Sequence, residues 1–137
     1  MTDTSFNPSL VGVHVVTTYL PSHSRPEDEQ YTFAYTITIS NGADLPVQLL
    51  SRHWVITDAD NQVQEVRGDG VVGEQPIIEP HESFRYTSGA TLTTPVGCME
   101  GSYYMVVREP MEIDPRDLPT FEVPIAPFTL HTPTALN

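Results

Sequence analysis

The segment 31–40, YTFAYTITIS, decides the fold. Tyr31, Phe33, Tyr35, Ile37 and Ile39 alternate with Thr32, Ala34, Thr36, Thr38 and Ser40. Bulky apolar groups at odd positions and small or hydroxylated ones at even positions repeat every two residues, as in a strand with one face in a core. Asn41-Gly42 follows, a pair that tolerates positive φ and predicts a turn.

The same period extends outward in both directions. In 10–20, LVGVHVVTTYL, Val11, Val13 and Val15 share a face, and Pro21 ends the run before the polar connection SHSRPEDEQ. Residues 47–57 form a strand of mixed parity. Leu50, Trp54 and Ile56 fall with Arg52, while Leu49 and Val55 fall with Ser51 and His53. Either both faces are covered or a β-bulge shifts the phase, and both readings stay open. Asp58 to Asn61 predicts a turn into a short returning strand, 62–67, with Val63 and Glu65 on its inner side. Further strands are expected at 83–88, where Phe84 and Tyr86 alternate with Arg85 and Thr87, and at 101–108, where Tyr103, Met105 and Val107 align. The last, 121–130, carries Pro124 and Pro127, which places it at an edge or at a bend, where it could pair with a second copy.

Seven or eight short strands with no helical period predict an all-β domain, an antiparallel β-sandwich of the immunoglobulin or fibronectin type III kind. It should occupy 10–133, with flexible tails at 1–9 and 134–137. A single Cys98 excludes an internal disulfide and a cysteine zinc site. The chain carries eighteen Asp and Glu against six Arg and no Lys, a net charge of −12. That charge repels phosphate backbones and anionic lipid, so neither a nucleic acid nor a membrane is an expected partner. No apolar run is long enough to span a bilayer, no signal peptide is visible, and a cytoplasmic location is expected.

The stretch 68–73, GDGVVG, matches the dinucleotide pattern GxGxxG literally. That chemistry needs a helix whose N-terminus receives the pyrophosphate, and Glu74, Gln75, Pro76 and Pro80 allow none. Gly68, Gly70 and Gly73 therefore read as the residues of a turn. An anion held by loop amides with Arg67 is the alternative. His14, His23, His53, His81 and His131 show no metal-ligand spacing, and the Asp58–Asp60 turn lacks the calcium-loop pattern. No nucleophile elbow is present, so no catalytic residue, metal or cofactor is expected. Trp54 reads as a core anchor. His53, Trp54, Gln75, Tyr103 and Tyr104 are the residues expected at a protein-binding surface, around the glycine loop and the 97–104 turn.

Five stretches together resemble the ApaG family: YTFAYTITISN (31–41), VQLLSRHWVITD (47–58), EVRGDGVVGEQPIIEP (65–80), YTSGATLTTPVGCMEGSYYM (86–105) and VPIAPFTL (123–130). The resemblance covers about 10–133. It implies a fibronectin type III-like sandwich, no established enzymatic activity, protein binding as in eukaryotic relatives, and an indirect link to cobalt and magnesium resistance. The motif positions Arg52, His53, Trp54, Gly68, Gly70, Gly73, Gln75, Pro76, Tyr86, Ser88, Gly89, Gly97, Met99, Gly101 and Tyr103 mark membership. Pro80-His81 stands where members often carry a glycine, and the absence of lysine weakens any case for phosphate.

Overall fold

Each long apolar alternation becomes a strand in the computed structural model, which describes residues 6–134. The strands are β1 (Val11–Tyr19), β2 (Tyr31–Asn41), β3 (Val47–Asp58), β4 (Val63–Asp69), β5 (Ile77–Ile78), β6 (Ser83–Leu92), β7 (Val96–Val107) and β8 (Thr120–His131). One sheet runs β1-β2-β6 and the other β4-β3-β7-β8, with β5 added beside Val47 and Gln48 of β3. Every named strand pair is antiparallel. This is an immunoglobulin- and fibronectin type III-like sandwich of eight strands. No α-helix occurs among the described residues; four short 3-10 turns begin at Pro8, Pro21, Pro26 and Pro115.

The core lies between the sheets. Phe33, Tyr35, Ile37 and Ile39 of β2 meet Leu49, Trp54, Met99, Tyr103 and Met105 across it. Trp54, 2% exposed, is ringed by Tyr35 at 5.5 Å, Phe128 at 5.9 Å and Tyr103 at 6.3 Å between ring centroids, all edge-on or tilted. Such offset aromatic contacts favour the quadrupoles of the rings beyond simple area burial.

The mixed parity of β3 resolves as a bulge. Leu49 faces Met105 and Ser51 faces Tyr104, so Leu50 is the extra residue. Val47 and Leu49 point inward before it, and Trp54 and Ile56 after it, with Arg52 in their phase. A second irregularity sits where β8 carries Ala126 and Pro127 opposite Glu100 of β7. It shifts the inward set from Val123 and Ile125 to Phe128 and Leu130. Pro124 and Pro127 thus fit an edge strand, each removing one backbone donor.

Four expectations are corrected. Asn41-Gly42 is no hairpin turn: neither residue has positive φ, and the chain passes here from one sheet to the other. Asn41 is instead buried. Its Nδ2 donates to the carbonyls of Leu45 (2.8 Å) and Ile78 (3.0 Å), and its Oδ1 accepts from Ala43 N–H (2.9 Å). On β4 the inner residue is Val66, opposite Trp54, while Val63 is 62% exposed and Glu65 faces out. The pairing with β3 sets that phase, and valine's apolarity at 63 does not override it. The strand expected at 83–88 continues through Gly89 to Leu92, and the one expected at 101–108 already begins at Val96. Finally, the inner part of the expected N-terminal tail is packed: Phe6 lies 4.8 Å from Phe121, and Asn7 accepts from Ser9 N–H at 3.1 Å. Residues 1–5 and 135–137, where the rest of the tail expectations fall, lie outside the described residues.

Candidate functional site

The glycine run leaves β4 as a tight hairpin. Val71 N–H donates to Glu74 O at 2.8 Å and Glu74 N–H to Val71 O at 2.9 Å, closing a two-residue turn over Val72 and Gly73. Both central residues have positive φ, +44° for Val72 and +82° for Gly73, as in a type I′ turn. Gly70 N–H donates to Leu50 O at 2.8 Å. A Cβ on Gly70, whose φ is +62°, would lie 2.1 Å from Glu74 O. These amides are therefore spent inside the protein, and no helix starts here. The amides of Gly70, Val71 and Glu74 are thus not free for the anion expected as the alternative.

Arg67 does not help to hold such an anion either. It points outward from β4 and lies 3.8 Å from Glu65, which also hydrogen-bonds His53 Nε2 at 2.8 Å. The arginine that serves the loop is Arg52. Its Nη1 donates to Gly70 O at 2.7 Å and Asp69 O at 3.1 Å. The absent side chain of Gly68 gives it room, since a Cβ there would lie 2.8 Å from Nη1.

The expected protein-binding surface divides. Trp54 and Tyr103 face inward, and at 0% exposure Tyr103 offers nothing to a partner. Both belong to the core: the phase that β3 takes after the bulge buries Trp54 with Ile56, and the phase that buries Met105 on β7 buries Tyr103. His53 and Tyr104 lie half-buried on the outer face of the larger sheet. Gln75 is exposed at the loop, where its Nε2 donates to Leu50 O at 2.9 Å.

Beside Gln75 opens a groove of about 740 Å³ that sequence reasoning missed. One wall is Asp69 and Gln75 from the hairpin side; the other is the segment 111–116, from Met111, Glu112, Ile113 and Asp114 to Arg116. Arg108 builds that second wall. Itself buried, it donates from Nη1 to Ile113 O at 2.6 Å and from Nη2 to Met111 O at 2.9 Å. Wrapped on this guanidinium, the loop leaves Met111 45% and Ile113 39% exposed. Hydrogen bonds from the Arg116 side chain and backbone hold Asp114 well below the usual carboxylate range, at about 2. Asp69 and Glu112 have no cationic partner among the described residues. The readable signal was two bulky apolar residues, Met111 and Ile113, inside an acidic, proline-rich run.

Burial, then the nearby Glu100 carboxylate, raises the Cys98 thiol above its ordinary value, which keeps it from ionising. Asp58 Oδ1 accepts from Asp60 N–H at 2.8 Å and Gln62 N–H at 2.9 Å, so it closes its own turn. Among the described residues no group of three or more His, Cys, Asp or Glu could hold a metal ion.

Comparison with known proteins agrees with the architecture. The family model described as the ApaG domain matches residues 21–107. Protein ApaG of Dechloromonas aromatica is 48% identical over the whole of both chains. Protein ApaG of Ralstonia nicotianae is 54% identical over 91% of this chain and 94% of its own. The crystal structure of the putative ApaA protein from Bordetella pertussis, 48% identical, superposes with a TM-score of 0.82 over 90% of this chain and 94% of that one. An X-ray structure of a structural-genomics target, 44% identical, gives 0.83 over 94% and 92%. The strands, the glycine hairpin and these matches lead to one conclusion: the chain belongs to the ApaG family.

Proposed function

We propose that this chain is a non-enzymatic protein-binding module, and that its partner seats a basic, apolar-bearing segment in the groove between the glycine hairpin and residues 111–116. One observation carries the reading. Met111 and Ile113 are presented to solvent on a loop pinned from beneath by Arg108, beside the unpaired carboxylates of Asp69 and Glu112. An apolar rim with uncompensated acids suits a ligand that brings a Lys or Arg together with an aliphatic or aromatic side chain. The net charge of −12 would steer such a partner toward the protein. Any link to cobalt or magnesium would then run through the partner and not through ions held here.

A photo-crosslinking residue placed at Ile113 tests this, with one at Val16 on the smaller sheet as control. The reading expects discrete crosslinks from position 113 that fade at high salt and vanish in Asp69→Asn/Glu112→Gln. Identical products from both positions, or none from 113, would refute it.

A further inference from the structure

We infer that the cleft between β4 and β6, at the open side of the sandwich, is a binding site for a carboxylate, held by Arg52. Its lining shares only Asp69 with the groove, and neither proposal stands on the other.

Arg52 lies in the inward phase of β3, two residues from Trp54, and reaches between the sheets. Nη1 is fully occupied by the carbonyls of Asp69 and Gly70. Nε and Nη2 have no acceptor among the described residues, and no carboxylate pairs with this guanidinium although the chain has three acids for every arginine. Those two nitrogens share one edge of the guanidinium plane, the edge that grips both oxygens of a carboxylate side-on. Three of the five donors of this half-buried guanidinium are thus open to solvent or to a ligand, since neither Nε nor Nη2 is among the buried atoms without a partner.

The space in front of Arg52 is shaped for a ligand. Two lobes, about 420 and 240 Å³, meet at Tyr35, Arg52, Trp54 and Ser88. The larger has no acidic residue in its lining, and its volume lies within the usual range of small-molecule sites. In the smaller, Asp69 is the single acid, and its residue faces outward in the alternation of β4. Tyr86, lining that lobe, is hydrogen-bonded to Tyr103 through their hydroxyls. Two hydroxyls that share one hydrogen bond leave one O–H to donate. Burial raises both phenols well above their ordinary value, so both stay protonated at neutral pH. Trp54 Nε1 is also buried without an acceptor. The site thus presents one cation, the Ser88 side chain and aromatic walls from Tyr35, Trp54 and Tyr86.

Charge decides which oxyanion. A di- or triphosphate would bring several charges to one arginine in a chain of net −12, whereas a carboxylate brings one. The aromatic walls add a preference for a flat apolar body behind the carboxylate. The carboxylate could belong to a free aromatic acid or to the C-terminus of a peptide, and the chemistry at Arg52 is the same.

The only tryptophan is the natural reporter, since its indole N–H gives a single resolved NMR signal. Benzoate, benzamide and inorganic phosphate are titrated into the labelled protein, followed by a tripeptide ending in Phe as free acid and as amide. Saturable movement with benzoate, little with benzamide or phosphate, and at least a tenfold weakening in Arg52→Gln support the site. Should that variant unfold, Ser88→Phe, which fills the junction of the two lobes and leaves Arg52 in place, must abolish the movement. The free-acid tripeptide binding more tightly than benzoate assigns the site to a chain terminus; weaker binding assigns it to a free acid. No movement with benzoate up to about 10 mM, equal movement with benzamide, movement with phosphate alone, or an undiminished response in a folded Arg52→Gln or Ser88→Phe would overturn the proposal.

Discussion

Val72 is the residue whose backbone is least at ease. A β-branched side chain at φ +44° crowds its own carbonyl, a conformation that costs roughly 1–2 kcal/mol for an L-residue other than Asn, Asp or Gly. Val72→Asn would place Asn-Gly at the turn centre and should stabilise the protein by about 1 kcal/mol in thermal or denaturant unfolding. The two flanking glycines should differ. At Gly73, φ +82° with open space around a Cβ, alanine costs about 1 kcal/mol. At Gly70 the new methyl meets Glu74 O, so Gly70→Ala should cost about 2–4 kcal/mol and loosen the hairpin. Equal losses at 70 and 73 would show that the hairpin is not closed as described. Three glycines in one motif thus do three things: room for Arg52 at 68, close approach at 70, a positive φ at 73.

At the scale of elements, the passage from β2 to β3 depends on Asn41. One side chain satisfies three backbone groups while the chain changes sheet, two of these hydrogen bonds buried and one part-buried. Asn41→Ala should cost about 3 kcal/mol, read from the denaturant midpoint at unchanged m-value; a loss below about 1 kcal/mol would remove the corner from the account. This element also marks where sequence reading stops. The alternation in 31–40 needed no tertiary information, because a period of two with bulky odd residues fits one structure. Asn41-Gly42 carries the same letters whether it closes a hairpin or turns a corner, and only the partner strand distinguishes them. The phase of β3 after Leu50 and of β4 at Val63 was undecidable for a like reason: a bulge is fixed by the neighbouring strand. Trp54 lies where its reading as a core anchor expects, and the same burial takes it and Tyr103 away from the surface on which both are also expected. Arg108 escaped notice because a lone arginine at a strand end announces nothing until the loop wraps it.

At the scale of the molecule, the buried Tyr86–Tyr103 pair ties stability to alkaline pH. Burial raises both phenols, so above about pH 10 the unfolded chain releases protons that the folded one keeps. Stability is full below that pH and falls above it, by up to about 2–3 kcal/mol per pH unit for two such groups. Thermal unfolding across pH 8–11 checks this, and Tyr103→Phe should flatten the slope. Cobalt or magnesium added and then chelated should leave Tm unchanged within about 2 °C, since a metal bound tightly to the native state would raise it. The edges bear on self-association: β8 forms one edge of the larger sheet and lacks two donors at Pro124 and Pro127, which breaks up any continuous ladder with a second copy. The central claim is that the GDGVVG run is a closed hairpin in which the amides of Gly70, Val71 and Glu74 are used within the protein. Amide hydrogen exchange at Gly70, Val71 and Glu74, measured with and without pyrophosphate, tests it most directly. Slow exchange in both conditions, unchanged by the ligand, is predicted; fast exchange that slows when pyrophosphate is added would contradict it.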